Sequence, residues 1–416
     1  MSACARNSDA AGRAPSGGLL AALVLLGACA TSQPGPRPDA ICAGAGLALD
    51  IAFAAAGIHD CIIAPDGGVV VSVDHEPAAA EGINPSPWYA FRIVSDAAGP
   101  RAVTLDYTGY EHRYAPFTSP DGRTWTMLAP HRLTLNERKS RATLSLDLPE
   151  GALFVAGQPI SSAAAALDWT RQAVQPRGFT ETRYGTSLSG RPLIGFVGGG
   201  PAAAGREGQN PAVRTTPDVI VALTRQHPPE TTGEEAFRGF VDRLLARDDP
   251  DARAFLATHL ILLAPMPNPD GVDGGHWRLN GGGVDLNRDW GAFTQPETRA
   301  LSDWIVQHTA GRRTVAFLDF HSTFKSIMYA PPLDAASPDI ALLPFLEQRL
   351  RERLAAPPEW SYAHTINGGT SKGWSLEALK APGLTVELWD QIPAPDARAL
   401  GAAVADALID YVSSPP

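Results

Sequence analysis

The sequence predicts an α/β protein whose sheet carries helices on both faces, preceded by a small antiparallel β-sandwich. From residue 163 onwards, apolar strands alternate with amphipathic helices, which is the pattern of a sheet covered on both faces. Residues 41–158 instead hold short runs of β-branched and aromatic residues between Gly, Pro and Asn turns, which is typical of antiparallel sheets. With 416 residues, of which 44% are hydrophobic, the chain can bury a sizeable core, and this excludes a mainly disordered protein.

The first 40 residues predict an export signal and a tether. Residues 1–28 contain an apolar run, GGLLAALVLLGA, which is too short to span a bilayer and fits a secretory signal. Small residues precede Cys29 as in a bacterial lipobox, so we expect cleavage and lipidation at Cys29, with residues 29–40 as a tether. The protein is then an exported lipoprotein that faces the periplasm or the cell exterior and meets the membrane only through its lipid anchor. The alternative is a plain signal peptide in which Cys29 has no role.

The part that is predicted to form a sandwich, residues 41–158, offers a disulfide but no catalytic cluster. Its strands are expected in the runs GGVVVSVDHE, WYAFRIV, RAVTLDYTGY and RATLSLDLP. Its histidines are scattered without the spacing of metal ligands: His59, His75, His112 and His131. In an oxidising compartment, Cys42 and Cys61 are expected to form a disulfide, the alternative being two buried free thiols.

The α/β part, residues 163–416, contains a series of apolar strands and amphipathic helices. The expected strands are DVIVALT (Asp218–Thr224), HLILLAPM, TVAFLDF and GLTVELW. The expected helices are GEEAFRGFVDRLLAR, PETRALSDWIVQH, ALLPFLEQRLRERL and a C-terminal helix near Pro395–Val412. The charge of the whole chain bears on its partners: acidic residues outnumber basic ones by 44 to 34, whereas nucleic-acid binders usually present a basic surface. We therefore expect no nucleic-acid partner.

Candidate metal ligands follow the ends of the predicted strands. His227 and Glu230 lie in His-Pro-Pro-Glu directly after DVIVALT, where two prolines forbid a regular helix and favour a turn. His321 follows TVAFLDF, so that two histidines and one carboxylate could meet at the carboxyl edge of the sheet, which is where such sheets place ligands. This ligand set is typical of catalytic zinc sites. The alternative for His321 is a hydrogen-bonded histidine near the core.

Other polar residues near these strands suit the chemistry of a hydrolase. Glu387 lies within the apolar strand GLTVELW, where a carboxylate is costly to bury without a function or a partner, so it is a candidate general base or half of a structural salt bridge. The segment Asn268–Trp290 supplies Arg278 and the pair Asn287-Arg288, which can donate hydrogen bonds to a carbonyl oxygen and to a carboxylate. Asp285 could orient a ligating histidine by accepting a hydrogen bond from the ring nitrogen that does not bind the metal.

Taken together and in order, these motifs resemble the zinc carboxypeptidases of the funnelin, or M14, group. The resemblance covers about residues 180–410 and rests on His227-x-x-Glu230, the NPDG turn, Arg278, GVDLNR, His321-Ser322 and TVEL. TRQHPPETTGEEAFRGFVDRLL, NPSPWYAFRI and RYAPFTSPDGRTW are similar to the cytosolic-carboxypeptidase-like branch, which carries a small sandwich before its catalytic domain. With its secretion signal, the chain resembles an exported bacterial member. The resemblance implies a mixed central sheet of the carboxypeptidase fold.

The resemblance also implies a role for each residue. His227, Glu230 and His321 would bind one Zn²⁺ per chain, and Glu387 would be the general base. Arg278 would polarise the scissile carbonyl, and Asn287 and Arg288 would bind the terminal carboxylate of a peptide or protein. Two alternatives to the cleavage of peptide or protein tails stay open: a carboxypeptidase of cell-wall stem peptides, and a zinc-retaining module that binds C-terminal tails without cleaving them.

Two positions in the expected specificity pocket depart from the pattern of the digestive enzymes. In an ungapped register from Glu387, their mobile tyrosine falls at Thr365, which has no phenol. The proton donor or substrate clamp is then either missing or supplied elsewhere, with Tyr362 and His364 as candidates. The same register places Lys372 at the base of the pocket, where a lysine implies a preference for Glu or Asp ends. Lys325 is a second cationic candidate, and a solvated loop lysine is the alternative for Lys372.

Overall fold

The structure is a computed structural model and describes residues 40–74, 76, 87–200, 217–246, 249–362 and 368–413. All of these residues belong to one unit, Pro38–Pro416. The expected signal peptide with Cys29, the tether up to residue 39, and the pocket positions His364 and Thr365 lie outside the described residues. Within the described part, no helix is both long enough and apolar enough to cross a membrane.

The N-terminal part forms two sheets that pack face to face. The strands are β1 (Ala40–Gly44), β2 (Leu47–Asp50), β3 (Asp60–Ile63), β4 (Val69–Val73), β5 (Ala90–Ser95), β6 (Gly99–Tyr107), β7 (Phe117–Ser119), β8 (Thr126–Met127), β9 (Leu133–Leu135), β10 (Arg141–Leu148) and β11 (Gly151–Ala156), with a 3₁₀ turn at Pro130–Arg132. One sheet has the order β1-β2-β5-β11-β7-β8 and the other β3-β4-β6-β10-β9. Alternate residues such as Val69, Val71 and Val73 are buried between the sheets.

The sandwich departs from the prediction in one detail, because β4 and β6 pair in parallel. After β4 the chain crosses to the other sheet for β5 and then returns, so β6 runs in the same direction as β4. All other strand pairs of the two sheets are antiparallel among the described residues. The structure joins Cys42 on β1 to Cys61 on β3 by a disulfide, which links the two sheets.

The C-terminal part is a mixed sheet with helices. Its elements are α1 (Ala163–Val174), β12 (Thr180–Thr186), β13 (Pro192–Gly199), β14 (Asp218–Thr224), α2 (Thr231–Leu244), α3 (Pro250–Thr258), β15 (His259–Ala264), α4 (Pro269–Asp273), α5 (Pro296–Thr309), β16 (Thr314–Thr323), β17 (Ile327–Tyr329), α6 (Leu342–Arg353), β18 (Glu359–Ser361), α7 (Ser371–Leu379), β19 (Gly383–Trp389) and α8 (Ala394–Ser413), with 3₁₀ turns at Gln175–Arg177 and Leu286–Arg288. The order is β12-β13-β15-β14-β16-β19-β17-β18, in which β15, β14, β16 and β19 run parallel.

Helices cover both faces of this sheet, as the sequence predicts. Ile220 and Ala222 of β14 pack in one cluster with Phe237 of α2 and Val404 of α8. Their neighbours on β14, such as Val221, point to the opposite face and pack with residues of α5. Since every residue of β14 from Val219 to Thr224 is buried, a continuous apolar run rather than an alternating one is what this central strand requires.

Candidate metal centre and active site

The first two candidate ligands lie on a turn between β14 and α2, at the carboxyl end of a central parallel strand. Arg225, which is 1% exposed, starts this turn in a left-handed conformation (φ 61°). Its guanidinium donates a hydrogen bond of 2.6 Å to the carbonyl oxygen of Pro228 and forms a buried ion pair with Glu234 of α2. These contacts fix the backbone between His227 and Glu230, so that both side chains turn towards the end of the neighbouring strand.

The third candidate ligand, His321, lies on that neighbouring strand. Its Nδ1 is 2.7 Å from Oε2 of Glu230 and 3.2 Å from Nδ1 of His227, and Nδ1 of His227 is 2.8 Å from Oε1 of Glu230. All three side chains are buried, and their ligand atoms lie within 4.8 Å of one another. The contact requires Gly233 in α2, because a Cβ at that position would come within 2.6 Å of the carbonyl oxygen of His321.

Carboxylates behind the two histidines fix the orientation of the rings. Nε2 of His227 is 3.0 Å from Oδ1 of Asp285, and Nε2 of His321 is 2.9 Å from Oδ2 of Asp319. A ligating histidine usually donates its other ring N–H to such a carboxylate, which leaves the opposite nitrogen free to bind the metal. Both Nδ1 atoms therefore face Glu230. Two imidazoles and one carboxylate fit Zn²⁺, and a metal held by three protein ligands keeps an open position for catalysis.

The structure therefore adds Asp319 to the residues that the sequence suggested. Its only signal in the sequence is a carboxylate within the apolar strand TVAFLDF, two residues before His321 and thus on the same side of β16. Asp319 is fully buried, and its Oδ2 also accepts hydrogen bonds from Nε2 of Gln226, at 2.6 Å, and from the hydroxyl of Ser371. The aspartate is therefore held from three directions.

The electrostatics of the buried cluster favour its ionised carboxylates. Burial by itself would raise the pKa of Glu230, but His227 and His321 beside it lower that pKa below its ordinary value. Burial likewise opposes the ionisation of Asp285, whereas the hydrogen-bonded His227 and the nearby Arg278 lower its pKa. Deprotonated carboxylates are the form that binds a metal cation.

Glu387 lies beside this cluster on β19, where it pairs in register with His321 of the adjacent parallel strand. Its Oε2 is buried and has no hydrogen-bond partner among the residues that the structure describes. Burial raises the pKa of Glu387 to about 7. A carboxylate whose pKa lies near neutrality can both accept and return a proton, which is the requirement for a general base. Among the described residues, no protein donor competes with a substrate or a water molecule for Oε2 of Glu387.

The segment between β15 and α5 brings its donors to the same place. Nε of Arg278 donates a hydrogen bond of 2.6 Å to Oδ2 of Asp285, so one carboxylate contacts both Arg278 and His227. Asn287 is buried, with its Nδ2 3.3 Å from Nε2 of His321. The side chain of Arg288 is exposed and donates to the carbonyl oxygen of Asn287 at 2.7 Å. Arg278 therefore contacts the carboxylate that orients His227, and Asn287 lies beside His321.

The pocket residues are brought together only in part. Lys372, at the start of α7, is 2% exposed, and its Nζ lies 5.5 Å from the centre of the Tyr329 ring. Burial lowers the pKa of Lys372 to about 8, while the charge of Glu387 raises it. The hydroxyl of Tyr362, one of the two residues named in place of the pocket phenol, donates a hydrogen bond to Glu347 of α6 at 2.6 Å. Lys325 is exposed and forms a surface ion pair with Glu359.

Tyr329 is a further residue that the sequence did not reveal. It lies on the short strand β17, which pairs antiparallel with β19, so that Tyr329 faces Thr385 two residues before Glu387. Burial raises the pKa of its phenol, and the charge of Glu387 adds to this effect. The tyrosine therefore lies within electrostatic reach of both Glu387 and Lys372. A lone tyrosine in a short apolar strand gives no sequence signal that distinguishes it from a core residue.

The sandwich also reaches this region, although the sequence placed no functional cluster in it. Arg113 forms two hydrogen bonds with the carboxylate of Asp390, at 2.9 and 3.1 Å, and both side chains are almost completely buried. Asp390 directly follows β19, three residues after Glu387. Nε2 of Gln158 donates to the carbonyl oxygen of Asp390 at 2.7 Å. The end of the strand that carries Glu387 is therefore anchored to the sandwich.

Comparison with known proteins agrees with this arrangement. The sequence profile of the zinc carboxypeptidase family, Peptidase M14, matches residues 170–400, a range that includes every residue of the metal cluster. The chain belongs to the zinc carboxypeptidase family. The resemblance seen in the sequence motifs is therefore confirmed. The same family is zinc-dependent by its description, in agreement with the His227, Glu230 and His321 cluster.

Relatives within the zinc carboxypeptidases include eukaryotic proteins. A segment of 113 residues is 34% identical to cytosolic carboxypeptidase 2 of Danio rerio and covers 26% of this chain and 16% of that protein. A segment of 72 residues is 45% identical to cytosolic carboxypeptidase-like protein 5 of Homo sapiens and covers 17% of this chain and 8% of that protein. This chain therefore spans only a small part of the length of these relatives.

Solved bacterial structures share the fold over most of the chain. The metallo-carboxypeptidase of Burkholderia cenocepacia superposes with a TM-score of 0.72 at 19% identity, over 88% of this chain and 99% of that chain. The metallo-carboxypeptidase of Pseudomonas aeruginosa, in complex with (2-guanidinoethylmercapto)succinic acid, gives a TM-score of 0.65 at 21% identity, over 88% and 99% of the two chains. The predicted carboxypeptidase fold is confirmed by these likenesses.

Proposed function

We propose that this protein is a zinc-dependent metallocarboxypeptidase that releases C-terminal residues from peptides or proteins. The observation that carries the proposal is the position of Glu387, whose unpaired buried oxygen lies beside the converging ligand atoms of His227, Glu230 and His321. A purely structural metal site would be closed by a fourth protein ligand and would have no use for a free carboxylate beside it.

Each residue of this chain then has a task in peptide hydrolysis. His227, Glu230 and His321 would hold the ion, which when bound supplies Lewis-acid chemistry and lowers the pKa of water. Glu387 accepts the proton of the attacking water at its carboxylate and returns it to the leaving amine. The Arg278 guanidinium stabilises the negative charge that develops on the scissile carbonyl oxygen. Asn287 and Arg288 bind the terminal carboxylate of the substrate, which restricts cleavage to the last residue.

The test of this function is release of the terminal residue from a peptide library, with and without a zinc chelator. We expect wild-type activity to disappear with the chelator and to return with added zinc. His321→Ala should lose most of its zinc and its activity, whereas His59→Ala, which changes an exposed histidine of the sandwich, should behave as wild type. Zinc binding and tail binding without any release would instead identify a non-catalytic binding module, and preferred cleavage of purified muropeptides would identify a cell-wall enzyme.

We further propose that the enzyme prefers substrates that end in Glu or Asp. The support is Lys372, a buried ammonium close to Glu387 and Tyr329 and therefore near the scissile bond. An ammonium in a desolvated pocket favours a carboxylate partner and penalises a basic side chain. Loss of one partner of such a pair typically costs about 2–5 kcal/mol, which corresponds to roughly 30- to 4,000-fold in discrimination.

Three peptides that differ only in their last residue, Glu, Leu or Lys, test this preference. Lys372→Ala should lower kcat/KM for the Glu-ended peptide by at least about 30-fold while changing the Leu-ended peptide little. Lys325→Ala is the matched control, because that lysine is exposed and paired with Glu359 at the surface. A wild-type enzyme that cleaves the Leu-ended peptide best, or an unchanged ranking in Lys372→Ala, would remove Lys372 from the pocket.

Export and lipidation are a separate proposal, because Cys29 lies outside the described residues. The small residues before Cys29 and the preceding apolar run support a lipoprotein signal. Labelled palmitate should enter the full-length protein in a bacterial host, and Cys29→Ser should abolish the labelling. Equal labelling of wild type and Cys29→Ser would exclude this anchor.

A further inference from the structure

The loop that carries Arg278 packs directly against the sandwich. Gly275 has a φ of 68°, and a Cβ at this position would lie 1.9 Å from the carbonyl oxygen of Ala56, so this close approach requires glycine. Two residues later, Nε1 of the buried Trp277 donates a hydrogen bond of 2.8 Å to the hydroxyl of Tyr114. The two neighbours of His276 in the chain, Gly275 and Trp277, therefore both contact the sandwich.

A single sandwich carboxylate, that of Glu76, binds the backbone of this loop at three successive residues. Its Oε1 accepts a hydrogen bond from the N–H of Trp277 at 2.9 Å. Its Oε2 accepts from the N–H of Arg278 at 2.8 Å and from the N–H of Leu279 at 3.0 Å. Hydrogen bonds to an ionised acceptor are about twice as strong as neutral ones, and the side chain of Glu76 is only 19% exposed, so water competes weakly for them.

His276 also lies beside this carboxylate. Its Nδ1 lies 3.2 Å from Oε1 of Glu76, and the contact with Glu76 raises the pKa of His276. Four consecutive residues, 276–279, therefore contact one side chain of the sandwich. This arrangement resembles a capping interaction in which an anion orders a run of backbone N–H groups.

The guanidinium of Arg278 is held by the α/β part. Its Nε donates to Asp285, which also orients His227, and its Cζ lies 5.4 Å from the centre of the Trp277 ring. The α/β part thus fixes the end of the side chain, whereas Glu76 fixes the backbone from which the side chain extends. A displacement of about 1 Å of a positioning group can cost on the order of 10²-fold in rate, so both attachments matter.

We propose that Glu76 is a positioning residue of the active site, through which the sandwich holds the Arg278 backbone so that its guanidinium meets the scissile carbonyl oxygen. The proposal rests on the proposed function for its catalytic consequence, while its structural part concerns only the contact between Glu76 and residues 277–279. The proposal gives the sandwich a role in catalysis. Without the sandwich, the loop that carries Arg278 would lose both the Glu76 carboxylate and the Gly275 contact, which order this loop.

Hydrogen exchange measures the structural part without any turnover. In Glu76→Gln, an NH₂ group replaces one acceptor oxygen and faces backbone N–H donors. The amides of Trp277, Arg278 and Leu279 should therefore exchange at least about tenfold faster, while the strands of the sandwich keep their protection. Asp147→Asn is the matched control, because Asp147 is an exposed carboxylate of the sandwich that pairs with Arg132. Unchanged exchange at residues 277–279 would overturn the proposal.

A double-mutant cycle measures the catalytic part. We expect Glu76→Gln to lower kcat by about 10- to 100-fold in the wild-type background, with zinc content unchanged, and by less than about threefold in the Arg278→Ala background. A general loss of folding would lower activity equally in both backgrounds and would overturn the positioning role. A wild-type protein without turnover, combined with faster exchange in Glu76→Gln, would instead refute the proposed function while the contact of Glu76 with the Arg278 loop stands.

Discussion

Replacement of Asp319 by asparagine tests whether the carboxylate behind His321 tunes the metal centre. In the structure, Oδ2 of Asp319 accepts three hydrogen bonds, from His321, Gln226 and Ser371, while Oδ1 has no hydrogen-bond partner among the described residues. An asparagine can keep its oxygen at the Oδ2 position only by burying its NH₂ group at the Oδ1 position without an acceptor. A buried donor left in this way costs about 1–3 kcal/mol.

The expected effect on zinc follows from the same geometry. The neutral amide attracts the Nε2 proton of His321 less than the carboxylate does, so the imidazole becomes a weaker ligand. Loss of such a carboxylate typically lowers metal affinity by about 10- to 100-fold, which corresponds to about 1.4–2.7 kcal/mol. We expect Asp319→Asn to fold, to bind zinc within this reduced range, and to lose activity at zinc concentrations that saturate the wild type.

Competition with a chromogenic chelator at fixed pH measures the affinity. Asp339→Asn is the matched control, because Asp339 is also fully buried but pairs with Arg313, next to the opposite end of β16. The control should lose stability without a comparable change in zinc affinity. A zinc affinity of Asp319→Asn within threefold of the wild type, or an equal loss in Asp339→Asn, would refute the assigned role of Asp319.

Three further predictions concern the base, the disulfide and the pocket. Glu387→Gln should keep its zinc and lose at least about 10²-fold in kcat, because an amide cannot accept the proton of the attacking water. Replacement of Cys42 and Cys61 by serine should lower the free energy of unfolding by about 3 kcal/mol, since the disulfide closes a loop with a sequence separation of 19 residues. The preference for Glu-ended over Leu-ended peptides in kcat/KM should be present below pH 8 and decline above it, as Lys372, whose pKa burial lowers to about 8, loses its proton.

Each of these predictions has an outcome that contradicts it. Near-normal turnover by Glu387→Gln would assign the base to another residue. Urea unfolding that is identical for the serine variant and the wild type would show that the disulfide contributes nothing to stability. The pocket prediction fails if the ratio of kcat/KM for Glu-ended over Leu-ended peptides stays constant from pH 6 to pH 10 in both the wild type and Lys372→Ala. In that case Lys372 does not select the terminal side chain.

Much of the fold follows from local patterns in the sequence. The run DVIVALT becomes β14 and the run GLTVELW becomes β19 with unchanged bounds, because a largely buried parallel strand needs a continuous apolar run. The metal ligands could also be predicted from the sequence, since His227, Glu230 and His321 follow such apolar runs. The carboxyl ends of parallel strands meet at one edge of the sheet. The short strand β17 and helix α7 escaped prediction, because their packing against β19 and β16 rather than their own periodicity stabilises them.

The residues that the sequence missed share a different property. Tyr329 and Glu76 act through contacts with residues that are distant along the chain, and Asp319, although only two residues before His321, is held by the distant Gln226 and Ser371. Glu76 and Arg278 are separated by 202 positions, and no periodicity or motif spacing reports such a pairing. A buried carboxylate in an apolar strand is a usable signal for Asp319, whereas the surroundings of Glu76 in the sequence give none.

The two contacts of the sandwich with the site act on backbone segments rather than on reacting atoms. Glu76 holds the loop that carries Arg278, and Arg113 with Gln158 holds Asp390 at the end of the strand that carries Glu387. The base and the group that stabilises the carbonyl oxygen must keep a fixed separation for the proton transfer and the charge stabilisation to coincide. Because both of their supporting segments are hydrogen-bonded to the same sandwich, that separation depends on the sandwich as well as on the sheet. This is a physical reason for a β-sandwich to precede a catalytic α/β unit whose metal ligands all lie within the α/β unit itself.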